Sequence, residues 1–241
     1  MAKKIGIVTG GGDCPGLNAV IRAIVKASAL NGWECFGIHG GFDGLLTPVQ
    51  AMPLATRDMD GLLIRGGTIL GTASSGQFSA KTGHGESRQV PQDILTQAKT
   101  NFDALGLAAL VAIGGDGTLT IAQQMFEMGF PVVGVPKTID NDLDATQTTF
   151  GFDTAVACAV DALDRLHSTA QSHNRVMVLE VMGRYAGWIA AYAGLAGGAD
   201  VILIPEIKFN YYSIQRKVQS REAEGKHFTI VIVAEGATPE G

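Results

Sequence analysis

Three carboxylates, Asp116, Asp140 and Asp142, stand in two short stretches whose residue types could do chemistry. The first stretch is Val111-Ala112-Ile113-Gly114-Gly115-Asp116-Gly117-Thr118, a β-prone run that breaks into glycines and one acid before a helical pattern begins. The second is Pro136-Lys137-Thr138-Ile139-Asp140-Asn141-Asp142, read as a strand end with acids on one side. Glycine lets backbone N–H groups approach a phosphate, and a helix N-terminus favours anions. An acid beside a phosphate calls for a divalent cation or acts as a base. The two stretches together point to phosphoryl transfer.

Each residue also has a plainer reading. Asp116 could cap the helix after it. Asp140 and Asp142 fall two apart, so on an extended segment they would share a face; Asn and Asp also favour simple turns. Gly10-Gly11-Gly12-Asp13-Cys14-Pro15-Gly16 joins a strand to a helix. Its spacing fits neither the dinucleotide fingerprint nor a P-loop. Three consecutive glycines exceed what a tight turn needs, so phosphate contact is the favoured reading. Met182-Gly183-Arg184 follows another strand. An arginine there suits a phosphate or a developing charge, or a surface ion pair. Arg175, just before that strand, carries a weaker signal. The five histidines, His39, His84, His167, His173 and His227, show no partner spacing and read as structural or surface residues.

These residues need a scaffold of alternating elements. Periodicity predicts strands at 5–9, 34–38, 108–113, 131–135, 176–181, 201–204 and 228–233. It predicts helices at 17–30, 92–105, 119–128, 153–169, 185–195 and 212–221. Residues 40–90 read as loop-rich. Strands alternating with helices imply an α/β protein with a parallel, doubly wound sheet. In such sheets ligands sit outside the carboxyl ends of the strands, where the glycine clusters fall. A boundary near Gly151 splits the chain into units of 1–151 and 152–241.

Composition narrows the classes. The chain has 241 residues, 46% apolar and 17% charged, which marks a globular protein able to bury a core. Net charge is −5, with no block of Lys or Arg, which argues against nucleic acid. The longest uncharged apolar stretch, 185–199, is too short and glycine-rich to span a membrane. The N-terminus does not fit a signal peptide. Cys14, Cys35 and Cys158 are odd in number and far apart, which fits a reducing cytosol and a cytoplasmic location.

Six ordered segments resemble the phosphofructokinase family. They are GGGDCPGLNAVIR (10–22), GGTILGT (66–72), IGGDGT (113–118), PKTIDND (136–142), FGFDTA (150–155) and RVMVLEVMGRYAGW (175–188). The resemblance implies two doubly wound Rossmann-like domains, donor-binding at 1–151 and sugar-phosphate-binding at 152–241. It implies transfer of a phosphoryl group from ATP to the 1-hydroxyl of fructose 6-phosphate, in a homo-oligomer, dimer or tetramer. Gly11, Gly115, Asp116, Gly117 and Thr118 would meet the donor, with Mg2+ on Asp116. Asp140 would be the base, beside Thr138 and Asp142. Met182, Gly183 and Arg184 would contact the sugar phosphate or transferring group. Arg175 would reach a sugar phosphate on a neighbouring subunit, and Glu235 would bind sugar hydroxyls.

Two departures from the family pattern matter, a missing arginine and the chain's end, and two further residues bear on the choice of donor. Many members carry an arginine shortly after the L-G-[ST] turn; here Thr72-Ala73-Ser74-Ser75-Gly76-Gln77 has none, and the next base is Lys81. Gly117 resembles ATP users, whereas pyrophosphate users tend to carry aspartate. Lys137 resembles pyrophosphate users and an atypical ATP group. ATP is favoured on steric grounds, with pyrophosphate as the alternative. The family also continues past residue 241, so the chain is expected to be truncated, its second domain incomplete. It is then expected to keep some magnesium–nucleotide affinity with little kinase activity. NAD and lipid kinases share the GGDGT device but not PKTIDND or MGRYAGW. A non-catalytic nucleotide-binding fragment is the third reading.

Overall fold

The computed structural model describes residues 2–73, 76–78, 89–144 and 146–240. Ser74, Ser75, Lys81 and His84 lie outside the described residues. The chain divides into two compact units, Met1–Thr138 and Ile139–Gly241. This packing boundary falls before the one read at 151 and 152, because Ile139 already joins the apolar cluster of the second unit.

The first unit contains β1 (Lys4–Thr9), α1 (Leu17–Leu30), β2 (Glu34–Ile38), β3 (Ala51–Leu54), α2 (Gln92–Ala104), β4 (Leu107–Gly114), α3 (Asp116–Glu127) and β5 (Val132–Thr138). Its strands lie in the order β3-β2-β1-β4-β5. β1 pairs in parallel with β2 and β4, and β4 with β5. β3 runs antiparallel to β2, within the stretch expected to be loop. Its Pro53 donates no hydrogen bond, which an edge strand tolerates. Three short 3-10 helices, Gly41–Leu45, Thr56–Met59 and Leu62–Ile64, fill more of that stretch.

Both faces of this sheet are covered. α1 places Leu17, Ile21 and Val25 on one side, against Ile5, Ile7 and Ile113. α2 and α3 cover the other, where Phe102 and Met125 meet Leu110, Ala112 and Phe130. Alternate residues of β4 therefore serve opposite cores, as strand geometry requires.

The second unit contains the two-residue β6 (Phe150–Gly151), then α4 (Phe152–His173), β7 (Val176–Val181), α5 (Trp188–Ala196), β8 (Val201–Leu203), α6 (Tyr211–Ala223) and β9 (Thr229–Ala234). Its parallel sheet has the order β7-β9-β8. α4 and α5 pack Leu163, Ile189 and Ala193 on Ile230, Ile232 and Ala234. α6 buries no side chain fully. It is tied on by Arg221, which bridges Asp200 at 2.6 Å and donates to the Phe228 carbonyl at 3.1 Å.

Candidate active site

In the first unit the chain leaves β1 toward β2 on one side and returns to β4 on the other. That reversal opens a crevice outside the carboxyl ends of β1 and β4, where open α/β sheets bind ligands. The register pairs Val8 with Ala112 and Thr9 with Ile113. The Gly10–Gly12 turn and the Gly114–Thr118 turn are thus neighbours, and the Gly10 N–H donates to the Ile113 carbonyl at 3.0 Å.

Thr118 sits between the two turns and is buried. A Cβ on Gly10 would stand 2.5 Å from its Oγ1, and one on Gly114 would stand 2.3 Å from it. Two glycines of these turns are therefore glycines because a threonine side chain fills their space. The family resemblance assigns Thr118 to the donor; the structure shows its side chain packed beneath the turns.

Asp116 is the first residue of α3, with Gly115 as its N-cap and no side-chain cap bond. The plainer reading of Asp116 as a cap does not hold here, and α3 begins three residues earlier than the apolar periodicity suggests. The Asp116 carboxylate is exposed. Among the described residues no cluster of three or more His, Cys, Asp or Glu side chains could hold a metal by itself. Gly117 lies in the first turn of α3. Gly115 lies against β5, since a Cβ there would stand 3.3 Å from the Lys137 carbonyl and 3.8 Å from Thr138 Cβ.

Lys137 differs from a free surface charge. It is 5% exposed, and its Nζ donates to the Gly12 carbonyl. Beside it, burial pushes the Cys14 thiol up, while the Lys137 ammonium pulls it down and Asp13 adds to the rise. Thr72 approaches the same turn, its hydroxyl donating to the Gly11 carbonyl. Its segment is anchored by Thr9, which donates to the Gly71 carbonyl at 2.7 Å. The buried Asn18 accepts from the Ile69 N–H at 2.9 Å and donates to the Arg65 carbonyl at 3.0 Å. Sequence reasoning missed Asn18 and Thr72; only their places inside the quoted motifs hinted at them.

In the second unit, Asp140 and Asp142 do not share the face of a strand. β5 ends at Thr138, and Asn141 has φ +52, which breaks the alternation between the two acids. Asn141 organises the loop after it: its side chain accepts from the Thr149 N–H at 2.9 Å and donates to the Gln147 carbonyl at 3.3 Å. Asp140 is partly buried, and Asp142 is exposed.

Met182, Gly183, Arg184 and Glu235 are brought together at the carboxyl ends of β7 and β9. The Glu235 N–H donates to the Val181 carbonyl at 2.9 Å, and the Gly236 N–H to the Gly183 carbonyl at 3.1 Å. A Cβ on Gly236 would stand 2.0 Å from the Arg184 carbonyl oxygen, so no other residue fits that approach. The Arg184 side chain is exposed, with its guanidinium 5.3 Å from the Tyr185 ring centroid. Arg175 lies at the opposite end of β7, roughly 20 Å away at the usual rise per residue. α5 begins at Trp188 rather than Tyr185, its Gly187 cap N–H held by Glu206 at 2.8 Å.

A family model described as Phosphofructokinase matches residues 4–241. The ATP-dependent 6-phosphofructokinase of Chloroflexus aggregans is 56% identical over 239 residues, covering 99% of this chain and 66% of that relative. The pyrophosphate–fructose 6-phosphate 1-phosphotransferase of Amycolatopsis mediterranei is 50% identical over 239 residues, with 99% and 66% covered. A solved phosphofructokinase from Saccharomyces cerevisiae aligns with a TM-score of 0.85 at 34% identity, covering 98% of this chain and 34% of that one. The chain spans 66% of the length of these curated relatives, just under two thirds.

Proposed function

The chain belongs to the phosphofructokinase family, and from that premise we propose that it serves transfer of the terminal phosphoryl group of ATP to the 1-hydroxyl of fructose 6-phosphate. The observation that carries this reading is the crevice at β1 and β4. There two glycine turns, an exposed Asp116 and the N-terminus of α3 converge where a polyphosphate would lie. No helix among the described residues is long and apolar enough to cross a membrane. A cytoplasmic location, a soluble sugar phosphate substrate and a homo-oligomer accord with the reading.

The chemistry comes from the residue types. Gly11, Gly115, Gly117 and Thr118 would offer backbone to the donor phosphates, and Asp116 would hold Mg2+. The metal supplies charge neutralisation at the phosphates when bound. Asp140 takes the proton from the sugar 1-hydroxyl. The freed oxygen attacks the terminal phosphorus, the bridging P–O bond breaks, and ADP leaves with its electron pair. Arg184 carries the positive charge suited to the transferring group, beside Met182, Gly183 and Glu235 for the sugar. Thr138 stands next to Gly115 on the donor side. Arg175, at the other end of β7 from Arg184, suits a sugar phosphate held by another subunit.

Pyrophosphate is the second reading, favoured by the relative from Amycolatopsis and by Lys137. Gly117 decides for ATP, since a side chain at that turn would crowd a nucleotide. A coupled assay with fructose 6-phosphate and either donor tests this: turnover with ATP supports it, and turnover with pyrophosphate alone overturns the choice of donor.

A further inference from the structure

We propose that Lys137 and Thr72 are positioning residues that hold the Gly12 and Gly11 carbonyls inward and so aim the N–H groups of Asp13 and Gly12 at the donor's phosphates. The inference deepens the donor reading above and rests on it.

The peptide unit is planar and trans, so its C=O and N–H point in opposite directions. The Gly11 carbonyl is taken by the Thr72 hydroxyl, which turns the Gly12 N–H the other way. The Gly12 carbonyl is taken by the Lys137 ammonium, which turns the Asp13 N–H away likewise. Among the described residues neither N–H has a protein partner. The space in front of Gly12 is open, since a Cβ there would meet nothing within 4 Å. Two successive N–H groups facing open space beside a helix N-terminus form an anion-binding concavity.

The straps come from two independent places. Lys137 is buried near the end of β5, and its ammonium needs an acceptor there. Thr72 ends a segment fixed to β1 by Thr9 and to α1 by Asn18. Neither strap could be read from the sequence, where Lys137 bears only on the choice of donor. Through the Gly12 carbonyl, it acts instead on the backbone that meets the donor.

Donor affinity in Lys137→Met, Thr72→Val and Thr72→Ser separates the two roles. Mg-ATP binding by calorimetry and steady-state KM and kcat are measured for each. Loss of a strap is expected to weaken donor binding about tenfold in Lys137→Met and several-fold in Thr72→Val, with fructose 6-phosphate KM unchanged. Thr72→Ser keeps the hydroxyl and is expected to match the wild type. Wild-type donor affinity in Thr72→Val overturns the inference, because a Lys137 effect alone would mean a charge acting directly on the donor. If the unmodified protein takes pyrophosphate instead, the same comparison runs with that donor and decides in the same way. An unmodified protein that binds neither donor overturns the functional reading itself, and the inference with it.

Discussion

The two units use the same parallel α/β plan but close it differently. In the first, apolar clusters lie on both faces of the sheet. In the second, one cluster beneath α4 and α5 does the corresponding work. Alternate residues of β7 show the contrast, since Met177, Leu179 and Val181 join that cluster while Val176 and Val178 are 47% and 60% exposed. A sheet packed on both faces holds its strand ends rigidly, and the glycine turns of the first unit sit on such strands. The second unit fixes its strand ends by local bonds: Gly236 to Gly183, Glu206 to Gly187, and Asn141 to Thr149. The strand ends of the first unit thus rest on two apolar clusters as well as on polar bonds, and those of the second unit depend more on backbone and polar clamps.

The largest expected effect would break that comparison on the side of chemistry. Asp140 belongs to the unit with the single cluster, at the start of the clamped 140–149 loop. In the protein with confirmed activity, Asp140→Ala is expected to lower kcat by roughly 10²–10⁴ while sparing donor binding. Near-normal turnover would overturn the proposed role of Asp140 as base.

The next effect concerns stability. Arg221 is largely buried with Asp200, and Asp200 also accepts from the Ile230 N–H at 2.9 Å. Removing one partner of a buried pair strands the other's charge, so Arg221→Ala is expected to cost about 3 kcal/mol. Chemical denaturation should show the second unit opening first. A single transition of unchanged midpoint would show that α6 is held by other means.

Gly114→Ala sharpens the same contrast from the first unit. Its new Cβ meets the Thr118 side chain at 2.3 Å, which should cost about 1–3 kcal/mol as overpacking. Adding Thr118→Ala removes Oγ1 and Cγ2 but leaves the Cβ, which also stands at 2.3 Å, so it is expected to restore only part of the loss. Gly236→Ala meets a backbone oxygen, so no side-chain change should rescue it. Equal rescue in both units would contradict the division between core-shaped and backbone-shaped sites.

The sequence revealed the regular elements well and the irregular ones poorly, for physical reasons. α1 and β7 match their expected bounds because period 3.6 and period 2 stand out in long apolar runs. β3 was missed because four residues with a proline on an antiparallel edge carry almost no periodic signal. Glycine and threonine at 117 and 118 hid the start of α3, whose first turn is secured by packing of Thr118 rather than by propensity. Simple alternation puts the acids at 140 and 142 on one face; the left-handed Asn141 between them has no signature beyond its residue type. The motifs named the candidate residues, but the contacts of Lys137, Thr72 and Asn18 involve partners distant in sequence.

The smallest effect is a labelling pattern that tests the two units side by side. Cys14 and Cys35 are buried in the first unit, and Cys158 is exposed on α4 of the second. Burial pushes the thiols of Cys14 and Cys35 up, so both remain protonated at neutral pH. The thiolate is the reactive form, and access is needed as well. At pH 7 a thiol reagent is therefore expected to modify Cys158 quickly and the other two slowly. A raised thiol pKa stabilises the fold below the thiol's unfolded value and loses that contribution as pH rises through the folded one. Raising the pH should then bring Cys14 and Cys35 into reaction as the first unit loosens. Fast labelling of Cys14 at pH 7 would mean that its glycine turn opens far more readily than a turn pinned by Lys137 and packed on both faces of its sheet should.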